Sequence, residues 1–211
     1  MSTGEEKTVK PLLFGVTGGI GCGKSAVCQF LHEQGVAIIA ADPLAKDLTR
    51  RHPEIRQALS NEFGADVYFG DGVLNVEKLA QLVFTDAAAR ARVNQIVHPH
   101  VFREIQNQVQ HLSAQAKLIG VEAALIFESH MDKILNAVVV VSAPLEKRIA
   151  WIRKRNRLSR EEILKRIQSQ MPLSEQVQRA HYVIENDGSL RDLADKVDSL
   201  YRWLLERLSK S

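Results

Sequence analysis

Five short apolar runs interrupt a chain whose other hydrophobic positions recur at helical spacing. The runs are Leu12-Leu13-Phe14-Gly15-Val16, residues 36–40, residues 117–123, residues 137–142 and Tyr182-Val183-Ile184. Each is short, and the run at 137–142 is the richest in β-branched residues, so all five read as strands. Helical patterns lie between them. One follows the first run at 26–32 and ends at Gly35, a C-cap residue. The closing helix runs from about Leu190 to Leu208, with Leu193, Val197, Leu200, Leu204 and Leu208 on its apolar face. Strands alternating with helices predict a parallel sheet with right-handed crossovers, covered on both faces.

Between 43 and about 115 the text changes. Apolar residues recur as Leu44, Leu48, then Ile55, Leu59, Phe63, then Leu79, Leu82, Val83, broken by Gly64 and the Gly70-Asp71-Gly72 turn. No β-run of core quality occurs there, so the segment reads as a mostly helical insertion. Between the last two strands lies the most basic stretch: Lys147, Arg148, Arg153, Lys154, Arg155, Arg157, Arg160, Lys165, Arg166 and Arg179. Ser159-Arg160-Glu161-Glu162 fits a capping box and predicts a new helix in that arm. The expected division is a core from 11–42, 116–146 and 180–211, an insertion at 43–115 and a helical lid at 147–179.

Composition narrows the class without naming it. At 211 residues, 45% hydrophobic and 25% charged, the chain is an ordinary globular α/β protein. The first ten residues are polar, without the apolar core of a signal peptide, and read as a frayed tail. No stretch approaches the roughly 18 apolar residues of a membrane span. The two cysteines, Cys22 and Cys28, lie on one loop–helix segment, which argues against a disulfide framework and suits a reducing cytoplasm. A net charge of +3 is too small to argue for nucleic acid.

The chemistry begins at Gly18-Gly19-Ile20-Gly21-Cys22-Gly23-Lys24-Ser25, which fits G-x-x-x-x-G-K-[ST] between a strand and a helix. Glycines let backbone N–H groups approach phosphate oxygens, and the following helix start adds partial positive charge. Lys24 is placed to reach the β- and γ-phosphates and Ser25 to bind Mg²⁺, so the chain binds a nucleoside triphosphate. The GTPase Asn-Lys-x-Asp element does not occur, and no apolar strand ends in the Asp-Glu of motor ATPases; the strand from Leu118 runs into Glu122. An acid directly after the second strand, Asp42, and an Arg-rich arm favour a kinase of small metabolites. Arg forks can neutralise charge on a transferring phosphoryl group.

The chain resembles the dephospho-coenzyme A kinase family through ordered matches over about 170 residues, on motif logic. Gly15 to Ser25 is similar to the family's Thr-Gly-Gly-Ile-Gly-Ser-Gly-Lys-Ser, and Ala40-Ala41-Asp42 to its Asp-x-Asp. Asn94-Gln95-Ile96-Val97-His98-Pro99 resembles Asn-x-x-x-His-Pro, and Leu125-Ile126-Phe127-Glu128 resembles Leu-Leu-Phe-Glu. Arg155 with Arg166-Ile167-Gln168-Ser169-Gln170 fits the lid pattern, and Asn186-Asp187-Gly188 the Asn-x-Gly. Departures stand at Ala40 for the first Asp, Cys22 for Ser, Trp151 for an Arg, Ala124 for Pro, Gln176 for a basic residue, and His181 for Asp.

The resemblance implies a P-loop fold with a five-stranded sheet, an acceptor-binding insertion and a lid. It implies ATP as donor, Mg²⁺ as cofactor and dephospho-CoA as the small-molecule partner, in a soluble cytoplasmic enzyme, monomeric or weakly self-associating. Gly18, Gly19, Ile20, Gly21, Cys22, Gly23, Lys24, Ser25 and Ala26 are the expected nucleotide cradle. Asp42 is the candidate for orienting the 3′-hydroxyl and accepting its proton. The alternative is an N-cap for a helix starting at Pro43, a role that can coexist with the first. Arg155, and Arg148 as substitute for the position of Trp151, are the lid candidates. His98, Pro99 and Glu128 are expected near the acceptor, though Pro99 would also suit the first position of a helix. His98 and His100 suggest a metal, but the sequence shows no third ligand at suitable spacing. Two rivals remain: a kinase of a nucleoside monophosphate or sugar acid, and an RNA-binding module using the basic arm. The arm's near lack of aromatics, Trp151 apart, weighs against the second.

Overall fold

The computed structural model describes residues 10–156 and 158–210. The expected N-terminal tail up to residue 9 and Arg157 lie outside the described residues. The five apolar runs form the five strands β1 (Leu12–Thr17), β2 (Ala37–Ala40), β3 (Leu118–Glu122), β4 (Ala137–Ser142) and β5 (Tyr182–Glu185), in the sheet order β2-β3-β1-β4-β5. β1 is the central strand. It pairs in parallel with β3 on one side and β4 on the other, and β5 pairs in parallel with β4. A strand flanked on both edges and covered by helices must be apolar throughout, and Leu12, Phe14 and Val16 are all buried. Reversal of strand order on either side of β1 opens a crevice at its carboxyl end, the place where open α/β sheets bind ligands.

Helix α1 (Lys24–Glu33) follows β1 directly and packs with the closing helix α9 (Leu190–Leu208). Leu193, Val197, Leu200 and Leu204, spaced four, three and four residues apart, are buried in one core with Phe14, Leu31, Val139 and Ile184. Ser189 opens α9 with a capping box, its hydroxyl taking the Asp192 N–H. Gly35, with φ 87°, ends α1 by donating its N–H to His32, as the apolar pattern predicts.

The chain forms two compact units, one of the residues up to Ile39 and from Val109 onward, the other Ala40–Gln108. In the second unit, α2 (Ala41–Arg51), α3 (Pro53–Phe63), α4 (Val76–Thr85) and the first part of α5 (Ala87–Leu112) follow one another. A short 3-10 turn at Ala65–Val67 and a bridge between Tyr68 and Leu74, closed around the Gly70–Gly72 turn, separate α3 from α4. The Tyr68 hydroxyl donates to the Thr49 carbonyl at 2.6 Å and ties the bridge to α2.

Two local expectations are corrected here. Asp42 does not cap a helix from Pro43: α2 starts at Ala41, with Ala40 as N-cap, and Asp42 and Pro43 occupy its first turn. Proline is tolerated there because first-turn N–H groups have no intrahelical partner to lose. Pro99 does not begin a helix either; it sits inside α5. An interior proline costs about 3 kcal/mol. The buried stripe Val93, Val97, Val101, Ile105 runs past it on both sides, and each such side chain contributes about 1.5–3 kcal/mol by burial. Together they outweigh the break.

The basic arm holds three helices where the sequence suggests two: α6 (Leu145–Asn156), α7 (Arg160–Gln168) and α8 (Leu173–Arg179). The capping box at Ser159 forms as read. Ile149, Ile152 and Ile163 make a small separate core between α6 and α7, joined by Ile20 of the glycine loop. Outside it, Arg160 grips Glu146 with both guanidinium nitrogens at 2.6 and 2.7 Å.

Candidate active site

The loop from Gly18 to Gly23 joins β1 to α1, and its shape depends on residues lacking a side chain. At Gly18, φ is 139° and an added Cβ would stand 2.1 Å from the Val141 carbonyl oxygen. At Gly23, φ is 96° and a Cβ would meet the Asn186 amide at 2.4 Å. Side chains cannot be accommodated at either point, so the main chain runs close against β4 and the loop after β5.

Three side chains from distant parts of the sequence, and Lys24 beside it, hold this loop. Arg148, on α6 and only 4% exposed, donates from Nε to the Ile20 carbonyl at 2.9 Å. The Gln170 Oε1 accepts the Ile20 N–H at 2.8 Å, while its amide nitrogen reaches the Ala124 carbonyl at 3.4 Å. Asn186, also buried, donates to the Cys22 carbonyl at 3.0 Å. Lys24 folds back, its ammonium on the Gly18 and Gly19 carbonyls at 2.9 and 3.4 Å. Positive charge is thereby held at the rim of a loop of main-chain dipoles.

Ser25, one residue into α1, donates its hydroxyl to Glu122 Oε1 at 2.8 Å. The parallel register sets Glu122, the last residue of β3, beside Val16 of β1. A hydroxyl and a carboxylate therefore meet at the carboxyl edge of the sheet, two hard oxygen donors of the kind Mg²⁺ takes. Glu122, Gln170 and Asn186 are absent from the site residues read off the sequence. The last two fall within matched motifs, and the acid ending the third apolar run was the signal available for Glu122.

Other predicted residues occupy varied positions. Asp42 is exposed in the first turn of α2, two residues past β2. Arg155 is exposed in the last turn of α6. Glu128 accepts the Met171 N–H at 2.8 Å and so supports the turn between α7 and α8. His98 stacks against Phe102, ring centroids 6.1 Å apart, and burial lowers its pKa, favouring the neutral ring. Ile20, Gly21 and Ala26 complete the loop and the start of α1; the Ala26 N–H returns to Gly23 at 3.0 Å. Cys22 is buried, and desolvation raises its thiol pKa against the opposing pull of Arg148 and Lys24. The thiol is neutral packing material, not a nucleophile.

Two departures from the family pattern find a physical setting. Gln176 is 1% exposed and donates to the Met171 carbonyl at 2.9 Å, a position where a charged side chain would need a buried partner. His181 puts Nδ1 3.1 Å from the Val138 N–H, serving as an acceptor beside β4. Trp151 is among the exposed large hydrophobic residues, and nothing in the structure explains it.

A parallel sheet with a glycine loop at its central strand, a lysine–serine pair opening the next helix and a facing carboxylate defines a P-loop kinase. The family model for dephospho-CoA kinase matches residues 12–192. The chain is 42% identical to the dephospho-CoA kinase of Salinibacter ruber over 188 residues, 89% of this chain and 94% of that protein. It is 40% identical to that of Chlorobaculum tepidum over 200 residues, covering 92% and 96%. Among solved structures, a Thermus thermophilus protein superposes with a TM-score of 0.79 at 34% identity, covering 92% of this chain and 98% of that one. Dephospho-CoA kinase from Campylobacter jejuni superposes at 0.60 with 25% identity and the same coverage. This chain belongs to the dephospho-CoA kinase family.

Proposed function

We propose that the chain transfers the γ-phosphoryl group of ATP to the ribose 3′-hydroxyl of dephospho-CoA, using the residues assigned below. Family membership makes it an ATP-dependent kinase that converts dephospho-CoA to CoA. The observation that carries the residue assignment is the Ser25–Glu122 pair beside the glycine loop. It supports the reading because it puts two hard oxygen donors beside the glycine loop whose main-chain N–H groups would receive phosphate.

In this reading the loop from Gly18 to Ala26 cradles the donor phosphates. Lys24 exchanges its carbonyl partners for β- and γ-phosphate oxygens, keeping its charge where it is needed. Ser25 and Glu122 would hold Mg²⁺, which when bound neutralises charge on the phosphates. Arg148 keeps the loop in place from beneath, its guanidinium so near Gly19 that a Cβ there would lie 2.5 Å away. Arg155 approaches the transferring group as the helices of 147–179 act as a lid. Asp42 orients the 3′-hydroxyl and accepts its proton as the oxygen bonds to phosphorus and the bridge to the β-phosphate breaks. The insertion 43–115 binds the acceptor, with His98 and Pro99 contributing to its shape and Glu128 holding the lid turn. We place the enzyme in the cytoplasm, where its free thiols Cys22 and Cys28 stay reduced. It acts as a monomer or weak homo-oligomer, without nucleic acid or membrane.

The test is ADP release with dephospho-CoA offered beside AMP, gluconate and an RNA oligomer, for wild type and Asp42→Asn. Only dephospho-CoA should turn over. The variant should bind ATP normally and lose roughly 10²–10⁴-fold in turnover, the usual worth of a positioned base. Near-normal turnover would remove Asp42 from the mechanism, and preference for another acceptor would overturn the substrate.

A further inference from the structure

His100 finds in the fold the partners that its sequence neighbourhood lacks. His98 and His100 are two residues apart on α5 and so point to different sides of the helix. His98 turns to Phe102, whereas His100 turns to His52, with ring centroids 4.4 Å apart. His52 sits at the junction of α2 and α3, as C-cap of one and N-cap of the other. Glu54 follows in the first turn of α3, and its Oε2 lies 3.8 Å from His100 Nδ1. One ligand atom from each of His52, Glu54 and His100 lies within 4.8 Å of the other two. All three residues belong to the same compact unit, Ala40–Gln108.

The two histidines also have unmet hydrogen-bonding capacity. Nδ1 of His52 and Nδ1 of His100 are both inaccessible and have no hydrogen-bond partner among the described residues. Buried polar atoms are ordinarily satisfied, and two orphaned imidazole nitrogens, one of them 3.8 Å from a carboxylate oxygen, call for a missing partner. A shared proton would satisfy both nitrogens only through an N–H···N hydrogen bond, and neither nitrogen makes one with any described residue. A cation accepting lone pairs from both would satisfy them together.

We propose that His52, His100 and Glu54 form a site for a borderline transition-metal ion of the Zn²⁺ class. Two imidazoles and a carboxylate suit zinc, and are poor ligands for Mg²⁺, which prefers oxygen donors and waters. Ligands at about 2.0–2.1 Å from a tetrahedral zinc stand roughly 3.4 Å from one another. The His100–Glu54 separation of 3.8 Å is close to that spacing, and no pair in the set is farther apart than 4.8 Å. A water would complete the coordination, because the Glu54 side chain is 70% exposed while that of His100 is 14% exposed. The site binds the corner between α2 and α3 to α5. Since α2 is one uninterrupted helix, fixing its last turn at His52 also fixes the direction of its first turn, where Asp42 lies. The site is distinct from the Ser25–Glu122 pair and does not depend on the reaction assigned above.

The experiment is Zn²⁺ titration of the full metal-free chain without nucleotide, read by calorimetry and thermal unfolding, with Co²⁺ absorption as a geometry probe. One Zn²⁺ should bind per chain and raise Tm. Co²⁺ should give a tetrahedral visible spectrum without the thiolate charge-transfer band that Cys22 or Cys28 would produce. His100→Gln should lose about 100-fold or more in affinity, since altering even outer partners of a site costs 10–100-fold. Glu54→Gln, at an exposed position, should retain the fold and weaken binding about 10-fold. If His100→Gln does not fold, Glu54→Gln decides alone. Absence of stoichiometric binding, a thiolate band, or unchanged affinity in the folded variants would each overturn the proposal.

Discussion

Gln170 is the most informative side chain to remove, because it ties the arm to the phosphate loop without itself carrying charge. Its Oε1 holds the Ile20 N–H at 2.8 Å and its Nε2 reaches the Ala124 carbonyl at 3.4 Å. Gln170→Met preserves side-chain length and deletes both bonds. A net hydrogen bond is worth about 0.5–1.5 kcal/mol; the short one counts near the middle of that range and the long one near its foot. The sum, about 1.5 kcal/mol, corresponds to roughly a tenfold change. If the strap serves to hold the loop ready for phosphate, that loss falls on ATP. Initial rates of ADP release at saturating dephospho-CoA should show kcat/KM for ATP reduced about tenfold. The residue is only partly buried, so unfolding of the same variant in denaturant should show a smaller loss of global stability. A kcat/KM for ATP within twofold of wild type, with stability clearly lowered, would refute the strap and leave Gln170 a packing residue.

Other predictions follow from packing and charge. Arg155→Ala should lower kcat more than it weakens ATP binding; the reverse pattern in steady-state kinetics and ATP titration would make it a binding residue. Leu200→Ala, at a fully buried position of α9, should cost about 2–5 kcal/mol in denaturant unfolding, and a loss under 1 kcal/mol would show that the core relaxes around it. Burial raises the pKa of both Cys22 and Cys28 above the ordinary 9.0. The folded state therefore keeps protons that the unfolded chain releases, so their contribution is complete below about pH 9 and declines as pH rises beyond it. Unfolding at pH 8 and pH 10 should show that decline, and it should be smaller in a Cys22→Ala, Cys28→Ala double variant.

The sequence by itself determined the elements and the nucleotide loop, because both are local in origin. Short continuous apolar runs report strands; the four-three-four spacing of Leu193, Val197, Leu200 and Leu204 reports a buried helix face. The glycine loop is legible for the same reason, since the backbone conformation it needs is encoded residue by residue. Helix starts were less legible. The burial stripe of α5 overrides Pro99, and α2 begins before Pro43, because proline's cost depends on which N–H groups are already without partners. Only the tertiary structure decided which distant side chains meet. Glu122 reaches Ser25 through the register of β3 on β1, and Arg148, Gln170 and Asn186 converge on a loop up to 164 residues away. His52 and His100, 48 residues apart in number, become ring neighbours for the same reason. Strand register and helix packing set these distances, and neither is written in the spacing of any one segment.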